Sequence, residues 1–335
     1  MYIMNLNRPD LVVVTGGTGH VGSMVIDQLL KGGYSVRATA RPSKIESLKS
    51  TYPNANGKLE IFEMADMLSD AGKWPEILQR ADAIIHIACP VYHPGTTSEY
   101  IYSVTNEGTQ KLLDAVGKSS VKRFVLTCSI GAFFKPDFSS VMDKTVYDHN
   151  TWSEIEDIDP KEHIPSYTYI ASKTISEKLV WKAAEKYPHI DFTSILPSTI
   201  YGWRIKDYPV YKSIPELNAN KFLHQFLEKD VTYPIVDVVH NHDVARAHVL
   251  ALTAPTLPKG EKKRFIVSAC KMTWVEAIQF LTEPEIVAKF TAQGHDIVAR
   301  LPDISAPAEY ITWKEILLEV VPNLIDWEKE HPEAL

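Results

Sequence analysis

Residues 11–22 read LVVVTGGTGHVG, and the fold turns on this stretch. Leu11–Thr15 is a short β-branched run that stops at glycines, with the length and composition of a buried strand. Directly after it, Gly16, Gly19 and Gly22 stand three residues apart. Gly16 permits the sharp turn out of the strand, and Gly19 lets backbone N–H groups approach a pyrophosphate with no Cβ in the way. Gly22 lets the following helix pack close to the strand. Residues 21–30 carry apolar side chains at 21, 25, 26, 29 and 30, a helical period that stops at Gly32-Gly33. The N-terminus of such a helix attracts an anion. Three glycines alone are weak evidence, because any tight strand-to-helix turn can use them. A strand before and a helix after supply the context that a dinucleotide-binding loop requires. Gly16, Thr18, Gly19, His20, Val21 and Gly22 are therefore expected to contact a dinucleotide.

Outward from this loop, strand-like and helix-like segments alternate. Residues 34–40, 59–64, 83–88 and 123–128 read as strands, and residues 44–52 and 105–116 as helices. Such alternation builds an α/β fold, a Rossmann-type doubly wound parallel sheet covered on both faces. Residues 166–186 form a long helical stretch ended by Pro188, and residues 192–196 read as a further strand that rejoins the sheet. Beyond Pro197 the pattern turns irregular. Prolines at 209, 215, 234, 255, 258, 284, 302, 307 and 322 divide this part into short helices and loops. The expected organisation is a dinucleotide-binding domain over residues 1–196, with returning segments near 236–255, and a smaller mixed substrate lobe over 197–335.

The end of the second strand selects the dinucleotide. An NAD site carries Asp or Glu there for the ribose 2′-hydroxyl, whereas an NADP site offers Arg to the 2′-phosphate. Here the chain reads Arg37-Ala38-Thr39-Ala40-Arg41-Pro42-Ser43-Lys44, with no carboxylate before Glu46. Arg41, with Lys44 as a second cation, points to NADP. Asp66, just past the third strand, is placed either to accept from the adenine amine or to act as a helix N-cap. Ala88, ending the fourth strand, joins the cofactor set.

Tyr169-Ile170-Ala171-Ser172-Lys173 puts Tyr169 and Lys173 four residues apart, hence on one helix face. A free Tyr has a pKa of about 10, too high for efficient proton transfer near neutrality. A neighbouring ammonium stabilises the tyrosinate, and a downward shift of roughly three units requires about 4 kcal/mol of differential stabilisation. Tyr169 can then donate a proton to a carbonyl oxygen as hydride reaches the carbon. A Tyr-x-x-x-Lys pattern alone recurs by chance in many helices; together with the upstream glycine loop it becomes specific. Ser129 ends the fifth strand, and doubly wound sheets bind ligands outside the carboxyl ends of their strands. Its hydroxyl can hold the substrate oxygen.

These motifs resemble the extended short-chain dehydrogenase/reductase superfamily, and within it the dihydroflavonol-reductase-like branch of NADPH-dependent carbonyl reductases. The resemblance covers roughly residues 10–255 and rests on six stretches. They are TGGTGHVG at 15–22, VRATARP at 36–42, RFVLTCS at 123–129, YIASKTISEKLVW at 169–181, LPSTIYG at 196–202 and DVARAHVLAL at 243–252. It implies a Ser–Tyr–Lys triad at Ser129, Tyr169 and Lys173, with Lys173 also binding the nicotinamide ribose. It further implies nicotinamide contacts at Pro197 and Ser198. Plant flavonoid reductases of this branch carry an Asn shortly beyond the serine, where this chain has Phe134. Plant cinnamoyl-CoA reductases have Asn-Trp-x-x-Tyr-Gly-Lys where this chain reads Tyr167-Thr168-Tyr169-Ile170-Ala171-Ser172-Lys173. VYDHNTW at 146–152 and the longer interval from Ser129 to Tyr169 look more like fungal aldehyde and ketone reductases. The implied substrate is a hydrophobic aldehyde, ketone or diketone. A hydroxysteroid-type dehydrogenase, a sugar-nucleotide epimerase and a non-catalytic NADP-sensing regulator are the alternatives on the same fold.

Pocket residues follow from position. Val91, Tyr92 and His93 come after the fourth strand, Phe133 and Phe134 after the fifth, and Tyr201 and Trp203 after the sixth. Aromatic walls at these loops suit an apolar carbonyl compound, and each residue could equally serve core packing. His240 and His242 have no Cys or acidic cluster around them, so no metal is expected. Cys89, Cys128 and Cys270 are odd in number and widely spaced, and read as small buried hydrophobes rather than a disulfide framework. Residues 327–330 read as a solvated helix face.

Composition sets the outer bounds. The 335 residues include 35 Lys and Arg against 42 Asp and Glu, a net charge of −7, with 45% hydrophobic residues. These values fit a globular chain with a sizeable core and argue against a dedicated nucleic-acid binder. No apolar run reaches the roughly 18 residues of a membrane span. The N-terminus lacks the basic-then-apolar pattern of a signal peptide. The expectation is a reduced, cytoplasmic, soluble protein, a monomer or homodimer, acting on a small-molecule carbonyl compound.

Overall fold

The computed structural model describes residues 9–55, 57–90, 95–135, 147–205, 208, 213–224, 236–258, 260–281, 283–292 and 313–331. In chain order the elements begin with β1 (Leu11–Thr15), α1 (Gly22–Lys31), β2 (Ser35–Ala40), α2 (Ile45–Thr51), β3 (Leu59–Glu63) and α3 (Trp74–Ile77). Next come β4 (Ala83–His86), α4 (Ser98–Tyr102), α5 (Gly108–Val116), β5 (Arg123–Thr127), α6 (Pro165–Lys186) and β6 (Asp191–Pro197). The remainder is β7 (Thr199–Tyr201), α7 (Asn220–His224), β8 (Val236–His240), α8 (Asn241–Ala251), β9 (Lys263–Val267), β10 (Cys270–Met272), α9 (Trp274–Leu281), α10 (Pro284–Ala292) and α11 (Trp313–Glu330). No helix among the described residues is long and apolar enough to cross a membrane.

The chain divides into two compact units. The first comprises Met1–Pro197, Ile205–Tyr208 and Ala245–Ile266; the second comprises Ser198–Arg204, Pro209–Val244 and Val267–Leu335. In the first, a seven-stranded sheet runs in the order β3-β2-β1-β4-β5-β6-β9. Each pair from β3 to β6 is parallel, with Val12 opposite both Val36 and Ala83, and Thr15 opposite His86. This is the expected Rossmann-type sheet. Val12, Val13 and Val14 are all fully buried, which is why the strand reads as a continuous β-branched run rather than an alternating one. The strand order reverses at β1, whose neighbours are β2 and β4, so a crevice opens outside the carboxyl ends of β1 and β4. Core side chains from α5 (Leu112, Leu113, Val116) and α6 (Val180, Trp181, Ala183) pack with Ile84, Phe124 and Phe192 of the strands.

Residues 105–116, read as one helix, start earlier and are not uniform. The helical stretch runs from Ser98, with a π turn at Ser103–Glu107 between α4 and α5. Such turns insert one extra residue into the helical ladder and recur at functional sites.

In the second unit β10, β8 and β7 form a small mixed sheet, with β7 parallel and β10 antiparallel to β8. Here one expectation fails. Pro322 does not divide the chain: α11 runs through it for 18 residues. Trp313, Ile316, Leu317, Val320, Val321, Leu324 and Trp327 repeat at helical spacing and are all buried in the second unit's core. Burial of that stripe outweighs the roughly 3 kcal/mol that an interior proline costs. The Asn323 side-chain amide donates to the Glu319 carbonyl beside the break. Trp327 is likewise core rather than solvated face, with Lys329 and Glu330 exposed beyond it.

Candidate active site

The glycine loop follows from sterics. Gly16 has φ +68°, which a side chain resists, and a Cβ there would sit 2.9 Å from the Ala88 backbone. A Cβ on Gly22 would collide with the Gly16 carbonyl oxygen, so the first turn of α1 closes against the loop only because that residue is glycine. Gly16 and Gly17 donate backbone N–H groups to Thr39 on β2, at 3.4 Å to its hydroxyl and 3.3 Å to its carbonyl. No side chain caps α1, no acidic residue lies in its first turn, and Lys31 ends it. The positive end of the helix dipole is thereby left for an anion. The cradle fits a dinucleotide pyrophosphate.

Beneath the loop, a polar chain links β1 to α5. Thr15 Oγ1 accepts from the backbone N–H groups of Ile87 and Ala88, at 3.0 and 3.1 Å. Its own proton therefore goes to His86 Nδ1, at 2.7 Å, which leaves His86 Nε2–H to donate to Thr109 at 3.1 Å. Burial, with the Lys173 charge second, pushes the His86 pKa down to about 3. His86 is thus a neutral structural linker of fixed tautomer.

Just past β2, Arg41 is exposed and Lys44 is half-buried. Asp66 Oδ1 accepts from the Leu68 and Ser69 N–H groups at 2.7 and 3.0 Å, so that oxygen is committed to a turn. Arg37, quoted within the β2 motif, turns inward. It pairs with Glu60 at 2.7 Å and donates to the Ile77 and Gln79 carbonyls, holding β2, β3 and the end of α3 together.

The Ser, Tyr and Lys side chains belong to the same unit. Ser129 follows β5 with extended backbone and accepts from Gly131 N–H at 3.1 Å, which leaves its hydroxyl proton able to donate. Gly131 packs against Ile170 of α6, where a Cβ would meet the Ile170 side chain at 3.0 Å. On α6, Lys173 is buried and its ammonium donates to the Thr127 carbonyl, at 2.9 Å, two residues before Ser129. Its Nζ lies 5.9 Å from the centre of the Tyr169 ring. Burial works against the Lys173 charge, but Cys89 and Tyr169 beside it more than offset this, so its pKa stands above the ordinary value. Desolvation raises the Tyr169 phenol and Lys173 pulls it back. The ammonium acts in the expected direction; the net shift is upward, against expectation, because loss of solvation outweighs it.

Sequence spacing gave no sign of several groups around this trio. Asn106, in the π turn, donates to Ser172 at 3.3 Å, and its buried Oδ1 has no hydrogen-bond partner among the described residues. Cys89 contacts Thr105 at 3.4 Å and is partly exposed, as is Cys270; Cys128 alone matches the buried reading. Cys128 lies against the Lys173 carbonyl and Glu177. Glu177, one turn after Lys173, forms a fully buried pair with Arg264 of β9 at 2.9 and 3.0 Å. That guanidinium also donates to the His149 and Thr151 carbonyls and stacks 3.7 Å from the Trp152 ring centre.

Of the pocket residues, Val91 and Tyr92, with His93, lie outside the described residues. Phe133 is buried and stacks on Tyr147 at 5.6 Å, while Phe134 is half-buried and tilted against the same ring at 6.1 Å. Pro197 ends β6. Ser198 N–H donates to the Val267 carbonyl at 3.1 Å, within the second unit. Tyr201 and Trp203 are in that unit's core, with Trp203 N–H bonded to Glu319 at 3.1 Å.

The family model for the NAD dependent epimerase/dehydratase family matches residues 12–266. The chain belongs to that family. A dihydroflavonol 4-reductase from Arabidopsis thaliana is 30% identical over 301 residues, 87% of this chain and 74% of that protein. Aldehyde reductase 2 from Sporidiobolus salmonicolor is 34% identical over 212 residues, 59% of each. Among solved structures, the yeast methylglyoxal/isovaleraldehyde reductase Gre2, complexed with NADPH, superposes with a TM-score of 0.78 at 22% identity, over 95% of this chain and 99% of that one. The last likeness is one of fold. The dihydroflavonol 4-reductase match agrees with the branch expected from the motifs, and the chain is a dinucleotide-dependent oxidoreductase of this epimerase/dehydratase family.

Proposed function

We propose that this family member is an NADP-dependent carbonyl reductase that converts a hydrophobic aldehyde, ketone or diketone to an alcohol, with Tyr169 as proton donor. The observation that carries the reading is the buried Lys173 ammonium, anchored on the Thr127 carbonyl and sharing a helix face with Tyr169. Gly16 to Gly22 would hold the pyrophosphate, Arg41 and Lys44 the adenosine phosphate, with Asp66 and Ala88 beside them. Lys173, Pro197 and Ser198 would hold the nicotinamide end. When bound, the reduced nicotinamide supplies hydride to the carbonyl carbon.

The chain's own residues do the rest. Ser129 donates a hydrogen bond to the carbonyl oxygen and fixes it. The Tyr169 phenol keeps its proton at neutral pH, the form a donor needs in the reducing direction, and burial makes it a weaker acid until charge builds on the substrate oxygen. As negative charge builds on the substrate oxygen, Tyr169 releases that proton, and the Lys173 charge stabilises the tyrosinate left behind. Of the expected pocket aromatics among the described residues, Phe134 is half-buried while Phe133, Tyr201 and Trp203 are buried, so Phe134 would meet a substrate's apolar body. The support for NADP over NAD is Arg41, with no carboxylate at the end of β2.

Tyr169→Phe removes only the donor. NADPH oxidation against a panel of ketones and aldehydes should fall by about a hundredfold or more, in line with the loss of a general acid, while NADPH binding measured by fluorescence persists. Retained turnover in that variant overturns the donor assignment.

A further inference from the structure

The short Ile205–Tyr208 segment is interposed in sequence between stretches of the second unit, yet groups with the first. Tyr208 N–H closes a turn onto the Ile205 carbonyl at 3.2 Å, and the Tyr208 hydroxyl donates to the Thr18 carbonyl at 2.7 Å. Thr18 lies inside the glycine loop, 190 positions upstream. Two other loop carbonyls are tied locally. Gly16 C=O accepts from Gly19 N–H at 2.9 Å, and Gly19 C=O accepts from the backbone and hydroxyl of Ser23 at 3.0 and 2.9 Å. A second phenol, Tyr52, donates to the Ser23 carbonyl at 2.9 Å.

The Thr18 carbonyl and the Gly19 N–H belong to one peptide plane. Gly16 fixes one edge of that plane and Tyr208 fixes the other. The Gly19 N–H is already engaged by the Gly16 carbonyl, so what matters for a loop that receives an anion is the Thr18 carbonyl: a rotated peptide would release a repulsive C=O that Tyr208 now holds. Gly19, lacking a Cβ, offers little steric resistance to such a rotation.

We propose that Tyr208 is a cofactor-positioning residue whose hydroxyl holds the Thr18–Gly19 peptide in the orientation that receives the dinucleotide pyrophosphate. The inference rests on the dinucleotide reading of the loop. Because the pyrophosphate is common to both dinucleotides, Tyr208 acts on NADPH and NADH alike. Arg41, within electrostatic reach of the same phenol, acts on the 2′-phosphate and so on NADPH alone.

The test measures dissociation constants for NADPH and NADH by fluorescence in the full chain, its Tyr208→Phe variant and its Arg41→Ala variant, with melting temperatures alongside. Tyr208→Phe keeps the ring and should weaken both dinucleotides by the same factor, about fivefold for one hydrogen bond, with an unchanged melting temperature. Arg41→Ala should weaken NADPH and spare NADH. Unchanged affinities in Tyr208→Phe overturn the proposal, as does a loss confined to NADPH, which would make the phenol a phosphate contact. A parent chain that binds neither dinucleotide overturns the loop reading and Tyr208's role together. An Arg41→Ala variant without selectivity overturns the NADP assignment alone and leaves the Tyr208 result standing.

Discussion

At the glycine loop the protein presents backbone. Gly16 turns where a Cβ is resisted, Gly22 clears the Gly16 carbonyl, and the N-terminus of α1 is left without a side-chain cap. On α6 it presents side chains: Lys173 and Glu177 are buried one turn apart, each charge satisfied by a partner from elsewhere in the fold, Thr127 or Arg264. The first region needs small residues at fixed spacing and tolerates most neighbours. The second needs charged residues whose partners must arrive from distant strands. An anion is recognised by geometry that local sequence can encode, while a proton donor is tuned by charges that only folding brings together.

The contrast can be broken from the side of α6 first. Arg264→Met leaves Glu177 as a buried, unpartnered carboxylate and frees the His149 and Thr151 carbonyls. The expected loss is about 3–5 kcal/mol of unfolding free energy, read from denaturant midpoints, and the double variant with Glu177→Leu should recover part of it. Equal losses in the single and double variants would show that the charge pair is not what the helix depends on.

At the loop, Gly22→Ala forces a Cβ onto the Gly16 carbonyl. A destabilisation of about 1–3 kcal/mol is expected from overpacking, with loss of dinucleotide affinity. An alanine variant that binds normally would refute the steric account.

The smallest effect concerns His86, which lies beneath the glycine loop and links β1 to α5 through Thr15 and Thr109. Its folded pKa, about 3, lies below the ordinary 6.5, so the unfolded chain binds the extra proton. Its stability contribution is complete above pH 6.5 and is lost as pH falls from there toward 3. Between pH 7 and 5.5 the loss should be about 1 kcal/mol. A His86→Gln variant should show a stability–pH slope smaller by roughly 0.6 proton on average over that interval; an unchanged slope would remove His86 from the account.

Much of the first unit was legible because its signals are local. Strand β1 and the onset of α1 lie within one residue of their reading, since a β-branched run and a helical period need no distant partner. Tyr169 and Lys173 were legible as a pair because four residues make one helical turn. Their shared environment was not, because desolvation of Tyr169 depends on packing that no spacing reveals. Prolines misled in the second unit: Pro322 reads as a breaker, while the stripe from Trp313 to Trp327 that overrides it was also there to be read.

Sequence alone determined the family and the sheet and put Tyr169 and Lys173 on one helix face, because backbone sterics and helical periodicity act between near neighbours. Tertiary structure alone decided which polar and charged groups are satisfied. Glu177 meets Arg264 across 87 positions and Thr18 meets Tyr208 across 190. A hydrogen bond is worth making only where burial removes water as the competing partner, and burial is a property of the folded chain.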